Sequence, residues 1–334
     1  MHPMNIVICS DYDIAGNLTM LARLINEYTI HKARCIIIVG DYLNYDTDIV
    51  LVKDATTKIA DPKAIKAAQD VVKKGDFFHI GRQPINFGDV KFENILNSKN
   101  CVIQYYGSYL RNNRPQIKNM HEQTGIKGIS WVDATMLENA GPMFYHFPDM
   151  FDVDKVCPWH EISFSNILDS NTPIKIVHSP TNRAFKKTDL FLSIIDDLQK
   201  DYPIELILLE GLSNKECLVQ KQQAHMLFDQ ISVGRFALSA IESMAMEQIV
   251  LCSVSNLVMS CYPDNPVVSV TEKTLKDVIV YFLENRSEIL SIGKKGRMWV
   301  RQNCDPIKAV DQYIWLYDYI INGNRIVKFS QKSK

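Results

Sequence analysis

A chain of 334 residues is long enough for two domains of ordinary size, each with its own core. Its 37 basic and 38 acidic side chains give no basic excess, which argues against a nucleic-acid partner. No apolar run approaches a membrane span, and the opening Met1-His-Pro-Met4 lacks a signal-peptide pattern, so a cytoplasmic protein is expected.

In chain order, Asn5–Cys9 reads as an apolar strand, followed by Asp11-Tyr-Asp-Ile-Ala-Gly-Asn17 and a helix from Leu18 to about Tyr28. Arg34–Gly40 and Ile49–Val52 are strands, and Pro62–Lys74 is a helix with proline in its first turn. Phe77–Ile80, Cys101–Gln104, Ile126–Val132 and Met143–Phe147 are further strands. They are apolar throughout rather than alternating, which indicates a parallel sheet covered on both faces.

Pro148–Ser163, with prolines and acids but no clear periodicity, suits a linker. The rhythm then resumes. Ile174–His178, Ile204–Leu209, Ile249–Ser253 and Val267–Val270 are strands. Asp189–Lys200, Lys215–Gln223, Thr274–Asn285, Ser287–Gln302 and Pro306–Ile321 are helices. The expected architecture is α/β: two Rossmann-like βα domains facing across a cleft. Residues 1–158 form the first domain and 159–305 the second. Residues 306–334 supply a helix that packs back on the first domain, and a tail.

The most informative stretch is Asp229–Glu247, a loop containing Gly234 that feeds an apolar-faced helix. Free amides at such a helix start suit a phosphate. Glu242, one turn further in, is placed to accept hydrogen bonds from sugar hydroxyls. Phosphate on amides and ribose on an acid together describe a nucleotide. Against this, an early acid is most often a helix-dipole choice and a lone glycine a turn. Just after the strand ending at His178, Arg183, Lys186 and Lys187 cluster where a diphosphate would need neutralising, or form a solvated basic turn. In the first half, His79 ends a strand, and Tyr106-Gly-Ser-Tyr-Leu-Arg111 follows another. A lone histidine is more often structural than catalytic.

The eight cysteines are scattered without Cys-x-x-Cys or zinc spacing and read as reduced core residues. The Asp-x-Asp pattern of metal-dependent sugar transferases occurs at Asp46, Asp11 and Asp152. Three occurrences in one chain make it uninformative, and no metal is expected. Gly293–Arg301, basic with Trp299, is either a solvated helix face or a contact for anionic lipid heads.

Taken in order, His178-Ser-Pro-Thr-Asn-Arg183, Lys186, Glu210-Gly211, Asp229-Gln230, Gly234-x-Phe236 and Ser239-Ala-Ile-Glu-Ser-Met-Ala245 resemble the donor-binding domain of the two-domain GT-B glycosyltransferases. The likeness is closest to the retaining group 1, or family four, type, and it covers about residues 172 to 254. In the first half only His79-x-Gly81 and Tyr106-Gly-Ser-x-x-Arg111 take part. The resemblance implies that Arg183 and Lys186 hold the donor diphosphate, and that the amides after Gly234, with Ser239, hold phosphate or sugar. Glu242 would bind ribose, with Asn182, Glu210 and Phe236 also on the donor side. Gly16 would lie near the reacting centre, and His79 would contact the transferred sugar or the acceptor. Tyr106, Gly107, Ser108 and Arg111 would serve the acceptor.

The chain departs from the family in three places. Gly234 replaces a glutamate, Lys187 stands where glycine is common, and Ile14-Ala-Gly-Asn17 is poor in glycine. The expected activity is sugar transfer from a nucleoside diphosphate such as UDP, without a metal cofactor, to a glycan or lipid-linked acceptor in polysaccharide or glycoconjugate synthesis. Retention is expected. Were the reaction inverting, Asp11, Asp13 or His79 would be the base. The station is the cytoplasm or the inner face of the membrane, and the oligomeric state is left open. The competing readings are a nucleotide-sugar epimerase or phosphorylase on the same fold, and a degenerate binding subunit. A dinucleotide oxidoreductase is disfavoured because no Gly-x-Gly-x-x-Gly follows a strand.

Overall fold

A computed structural model describes residues 2–40, 43–53, 59–82, 100–130, 144–147, 149–162 and 166–323. The chain divides into two units: Met1–Met150 with Pro306–Lys334, and Phe151–Asp305.

The first unit is built on β1 (Asn5–Ser10), β2 (Lys32–Val39), β3 (Ile49–Val52), β4 (Phe77–Gly81), β5 (Cys101–Tyr105), β6 (Lys127–Ser130) and β7 (Phe144–His146). All are parallel, in the order β3-β2-β1-β4-β5-β6-β7. Alternate residues of β1 feed two cores. Ile6 and Ile8 join α1 (Asn17–Tyr28) on one face, and Val7 and Cys9 join α2 (Pro62–Val72) and α3 (Gly107–Thr124) on the other. Strands buried on both faces have no polar side to display, which is why they read as unbroken apolar runs. In α2, Asp61 caps the Lys63 amide at 2.9 Å and Pro62 opens the helix. No periodicity announced α3. It is mostly polar, carries Pro115, and bends at Asn113 (φ −122°) before closing on Gly125.

The second unit is built on β8 (Ile174–His178), β9 (Ile204–Leu208), β10 (Met226–Gln230), β11 (Ile249–Cys252) and β12 (Val268–Ser269), parallel in the order β12-β11-β10-β8-β9. Its helices are α4 (Trp159–Ile162), α5 (Thr188–Leu198), α6 (Asn214–Lys221), α7 (Leu238–Ala245), α8 (Asn256–Cys261), α9 (Leu275–Glu284) and α10 (Arg286–Asn303). The segment expected to be a linker belongs to this unit from Phe151 onward. Phe151, Val153, Val156 and Trp159 are buried in its cores, and the Phe151 amide donates to the Cys304 carbonyl at 2.9 Å. Burying four large apolar side chains outweighs the irregular backbone, so the chain changes unit at Met150 rather than at residue 158.

The chain returns to the first unit as α11 (Pro306–Asn322), whose Ala309, Val310, Tyr313, Ile314, Leu316 and Tyr317 complete the core beside α1. In the basic run of α10, Trp299 is buried and Arg297 turns inward to the Val156 and Ala245 carbonyls, leaving Lys294, Lys295, Met298 and Arg301 outside. Among the described residues no helix is long and apolar enough to cross a membrane.

Each sheet has one place where the strand order reverses: between β1 and β4 in the first unit, and between β8 and β10 in the second. Connections there leave in opposite directions and open a crevice beyond the carboxyl ends of the strands.

Candidate active site

In the second unit the loops at that reversal are Ser179–Lys187, after β8, and 231–237, after β10. His178 ties them to the sheet. It is fully buried, with Nδ1 2.8 Å from the Phe228 carbonyl and Nε2 2.8 Å from Thr188 Oγ1. A carbonyl can only accept, so Nδ1 carries the proton and Nε2 accepts from the threonine hydroxyl. Burial lowers the pKa of this imidazole to about 4, so it stays neutral.

The Asn182 side chain accepts from the Phe185 amide at 2.9 Å and its carbonyl accepts from the Lys186 amide at 3.0 Å, closing a turn that presents Arg183 and Lys186. Lys187 adopts φ 54° at the cap of α5. The left-handed conformation that makes glycine common at this position is therefore kept by a lysine, at a cost of about 1 kcal/mol.

Every cation of the cluster has an acid beside it. Arg183 reaches Glu210 at 2.8 Å and Asp189 at 3.0 Å, with its side chain 43 % exposed. Lys187 pairs with Glu272 at 3.1 Å. Lys186 bonds to Asp229, whose other oxygen accepts the Ala237 amide at 3.1 Å. Burial alone would raise the Asp229 pKa, but the Lys186 charge and hydrogen bond outweigh it, so the carboxyl is held below its usual value and stays ionised. Asp229 thus couples the cation after β8 to the start of α7.

The loop amides are less available than its glycine suggests. Gln230, fully buried, accepts from the Ser232 and Val233 amides at 2.7 Å each and donates to the Arg235 carbonyl at 2.6 Å. The Ala237 amide is bonded to Asp229, while the Leu238 and Ser239 amides open α7, where Ala237 provides no side-chain cap. Gly234 holds φ 72°, and its carbonyl accepts the Ser255 amide at 2.7 Å. The Phe236 ring is 1 % exposed and packs on Tyr262 and Trp299, so it can offer a ligand only main chain.

Glu242 lies on α7, 5 % exposed. Its Oε2 accepts from Lys221 at 2.6 Å and its Oε1 from Asn214 at 3.2 Å. Lys221 also donates to Ser239 Oγ at 2.9 Å, and Ser239 Oγ is 3.2 Å from Ser179 Oγ. The structure thus gathers Ser179 from the first loop, Ser239 and Glu242 from α7, and Asn214 and Lys221 from α6. Sequence reasoning missed Asn214, Lys221 and Gln230. Nothing local marks a lysine on one helix as the partner of an acid on the next.

In the first unit the placements differ from expectation. His79, expected to contact the transferred sugar or the acceptor, has both ring nitrogens engaged within the protein. It is fully buried, its ring bonded to Tyr317 Oη at 2.5 Å and Gln104 Oε1 at 2.7 Å, and burial lowers its pKa to about 4. Asp13 caps α1 through the Leu18 and Thr19 amides at 2.9 and 3.0 Å, so the protein's own carboxylate fills that helix start. Ala15 and Gly16 both take positive φ, and a Cβ on Gly16 would lie 2.3 Å from the Tyr45 ring. That close approach, rather than a glycine-rich loop, explains Gly16. Tyr106 is buried at the cap of α3, and Gly107, Ser108 and Arg111 lie on that helix, with their side chains outside the described residues. Arg82 was not foreseen. At the end of β4 it pairs with Asp11 at 3.2 Å and sits 5.2 Å from the Tyr109 ring.

No protein-family model matches the sequence, and no curated protein matches it. Solved structures do. A sucrose-phosphate synthase from Thermosynechococcus elongatus superposes with a TM-score of 0.66 at 12 % identity, over 94 % of this chain and 99 % of that one. A glycosyltransferase from Rickettsia africae gives 0.64 at 13 % identity, over 97 % and 100 %. HepE of Anabaena, solved with UDP and glucose, gives 0.62 at 12 % identity, over 94 % and 99 %. Superposition over nearly the whole of each chain shows that this protein, with its two parallel sheets, has the GT-B fold.

Proposed function

We propose that the protein is a glycosyltransferase that moves a sugar from a nucleoside diphosphate to a hydroxyl of a glycan or lipid-linked acceptor, in the cytoplasm, for polysaccharide or glycoconjugate synthesis. One observation carries this reading. Glu242 and the Arg183–Lys186 pair stand on the loops and helices of adjacent strands, at the one reversal of the second sheet. An acceptor-only carboxylate suits a ribose diol, and a fork and a point charge suit a diphosphate. The neighbour HepE, solved with UDP and with UDP-glucose, supports UDP as the first nucleotide to test.

The acids beside the cations do not block this role. Arg183 has five N–H donors, and its carboxylates engage one each on two nitrogens; Lys186 has three, with one on Asp229. The remaining donors can turn to the oxygens of the departing diphosphate. Its charge grows as the sugar bond breaks, so these contacts strengthen in the transition state. Retention is the reading the first unit supports. Asp11 is paired with Arg82, Asp13 is spent on α1, and His79 is buried and neutral, so the three bases considered for inversion have other work. The leaving phosphate would then take the acceptor proton. Arg183 and Lys186 are proposed to act in place of a divalent ion, and transfer is expected to persist in EDTA.

The test is a thermal-shift series with UDP, GDP, ADP and CMP and their sugars, followed by product analysis. Binding to the native state raises the melting temperature by mass action, by several degrees at a hundredfold excess over Kd. A nucleotide that shifts melting, with a sugar moved to an added acceptor, supports transfer. Conversion of the sugar without an acceptor supports the epimerase reading, and a panel without any shift removes the proposal.

A further inference from the structure

Lys221 is the last residue of α6 and is 1 % exposed, an unusual station for an ammonium. It is also fully satisfied. Its three protons go to Glu242 Oε2 at 2.6 Å, Ser239 Oγ at 2.9 Å and the Ser239 carbonyl at 3.4 Å. Its own carbonyl is fixed, accepting from the buried Gln248 amide, which also reaches the Ala224 carbonyl at 3.1 Å. Both ends of the residue are therefore clamped to α7 and to the turn that follows it.

A carboxylate has about four lone-pair directions. In Glu242 one on each oxygen is filled, by Lys221 on Oε2 and by Asn214 on Oε1. One direction per oxygen remains, the demand of a vicinal diol with two hydroxyl donors. The charge also balances. An unpaired Glu242 would add a negative charge beside a dianionic diphosphate. With Lys221 the pair is neutral, so the acid accepts hydroxyls without repelling the phosphates. We infer that Lys221 is a positioning residue that keeps Glu242 aimed as a double acceptor, and thereby makes the site select ribonucleotides over 2′-deoxyribonucleotides. This rests on the reading of Glu242 as the ribose acceptor. Without Lys221, the buried carboxylate would lose its counter-ion and swing out toward water, which ends its service as a double acceptor.

The experiment titrates wild type, Lys221→Met and Lys221→Gln with UDP, GDP, ADP and CDP, each against its 2′-deoxy counterpart, by calorimetry. Circular dichroism checks the fold. The wild type is expected to prefer the ribose form by about tenfold or more, the worth of a hydrogen bond to a charged group. In Lys221→Met the ratio should fall to within about twofold of unity. Lys221→Gln keeps a buried hydrogen bond without the charge, so it should fold and give an intermediate ratio. A merely structural lysine would weaken both nucleotide forms alike and leave the ratio untouched. An unchanged ratio in either folded variant overturns the inference, as does a wild type that does not discriminate. Failure of all four ribonucleotides to bind the wild type removes instead the donor reading on which it rests.

Discussion

At the scale of single residues, the site is held by pairs whose members differ in what their loss would cost. Glu242→Ala would leave the buried Lys221 ammonium without its counter-ion, and breaking such a pair costs about 3–5 kcal/mol. Lost activity in that variant would therefore mix chemistry with unfolding. Arg183→Ala is the cleaner probe. Its acids are exposed, so stability should change little. Transfer should fall by about a hundredfold or more. Steady-state kinetics beside a urea melt would check both, and wild-type turnover would exclude Arg183 from the diphosphate. The histidines make a second prediction. Burial lowers His79, His178 and His225 to about 4, whereas in the unfolded chain they protonate near 6.5. Protons then bind the unfolded state preferentially. The stability these residues give is present above about pH 6.5 and is lost as pH falls toward 4. Urea midpoints should decline already between about pH 6.5 and 5, above the range of ordinary carboxylates. A flat profile there would contradict the neutral assignment.

At the scale of elements, α7 owes its position to small residues on α10. A Cβ on Gly293 would lie 2.1 Å from the Glu247 carbonyl, and one on Gly296 3.3 Å from Met244. Gly293→Ala must therefore push α10 away from the α7 end, at a cost of about 2 kcal/mol or more. Because α7 carries Glu242 and Ser239, nucleotide affinity should fall with it, measurable by thermal shift. A variant with wild-type melting and affinity would show that the crossing can relax. The cap of α5 predicts the opposite sign. Lys187→Gly relieves φ 54° and loses only an exposed pair with Glu272, so denaturant midpoints should stay level or rise by up to about 1 kcal/mol.

At the scale of the whole molecule, the chain crosses between units twice, at Met150–Phe151 and at Asp305–Pro306. The consequence is unequal autonomy. The second unit is continuous and holds its own cores, so residues 151–305 should fold alone. The first unit lacks one face until α11 arrives, bringing Tyr313 and Tyr317 onto Phe147 and Phe77 with ring centroids 4.4 Å apart. Residues 1–150 expressed alone should be loosely packed or insoluble, and gain a cooperative melt when 306–322 is supplied in the same chain. A cooperative transition in 1–150 alone would refute this.

The sequence by itself determined the class of fold, the strand-helix rhythm and the neighbourhood of the site. Apolar strands bounded by glycine and helix caps are local signals, and Asn182, Arg183, Lys186, Ser239 and Glu242 lie where those signals end strands or begin helices. Tertiary structure decided which groups meet. His79 could be placed at a strand end, but only the fold shows that Tyr317, 238 positions later, bonds to its ring. Of the amides after Gly234 expected to be free, that of Ala237 is taken by the Asp229 side chain. Lys221 drew no role from the sequence, yet it pairs with the buried Glu242. Local pattern records the period at which a segment turns its side chains inward. It holds no record of the partner there, because that partner is set by the packing of segments far apart in the chain.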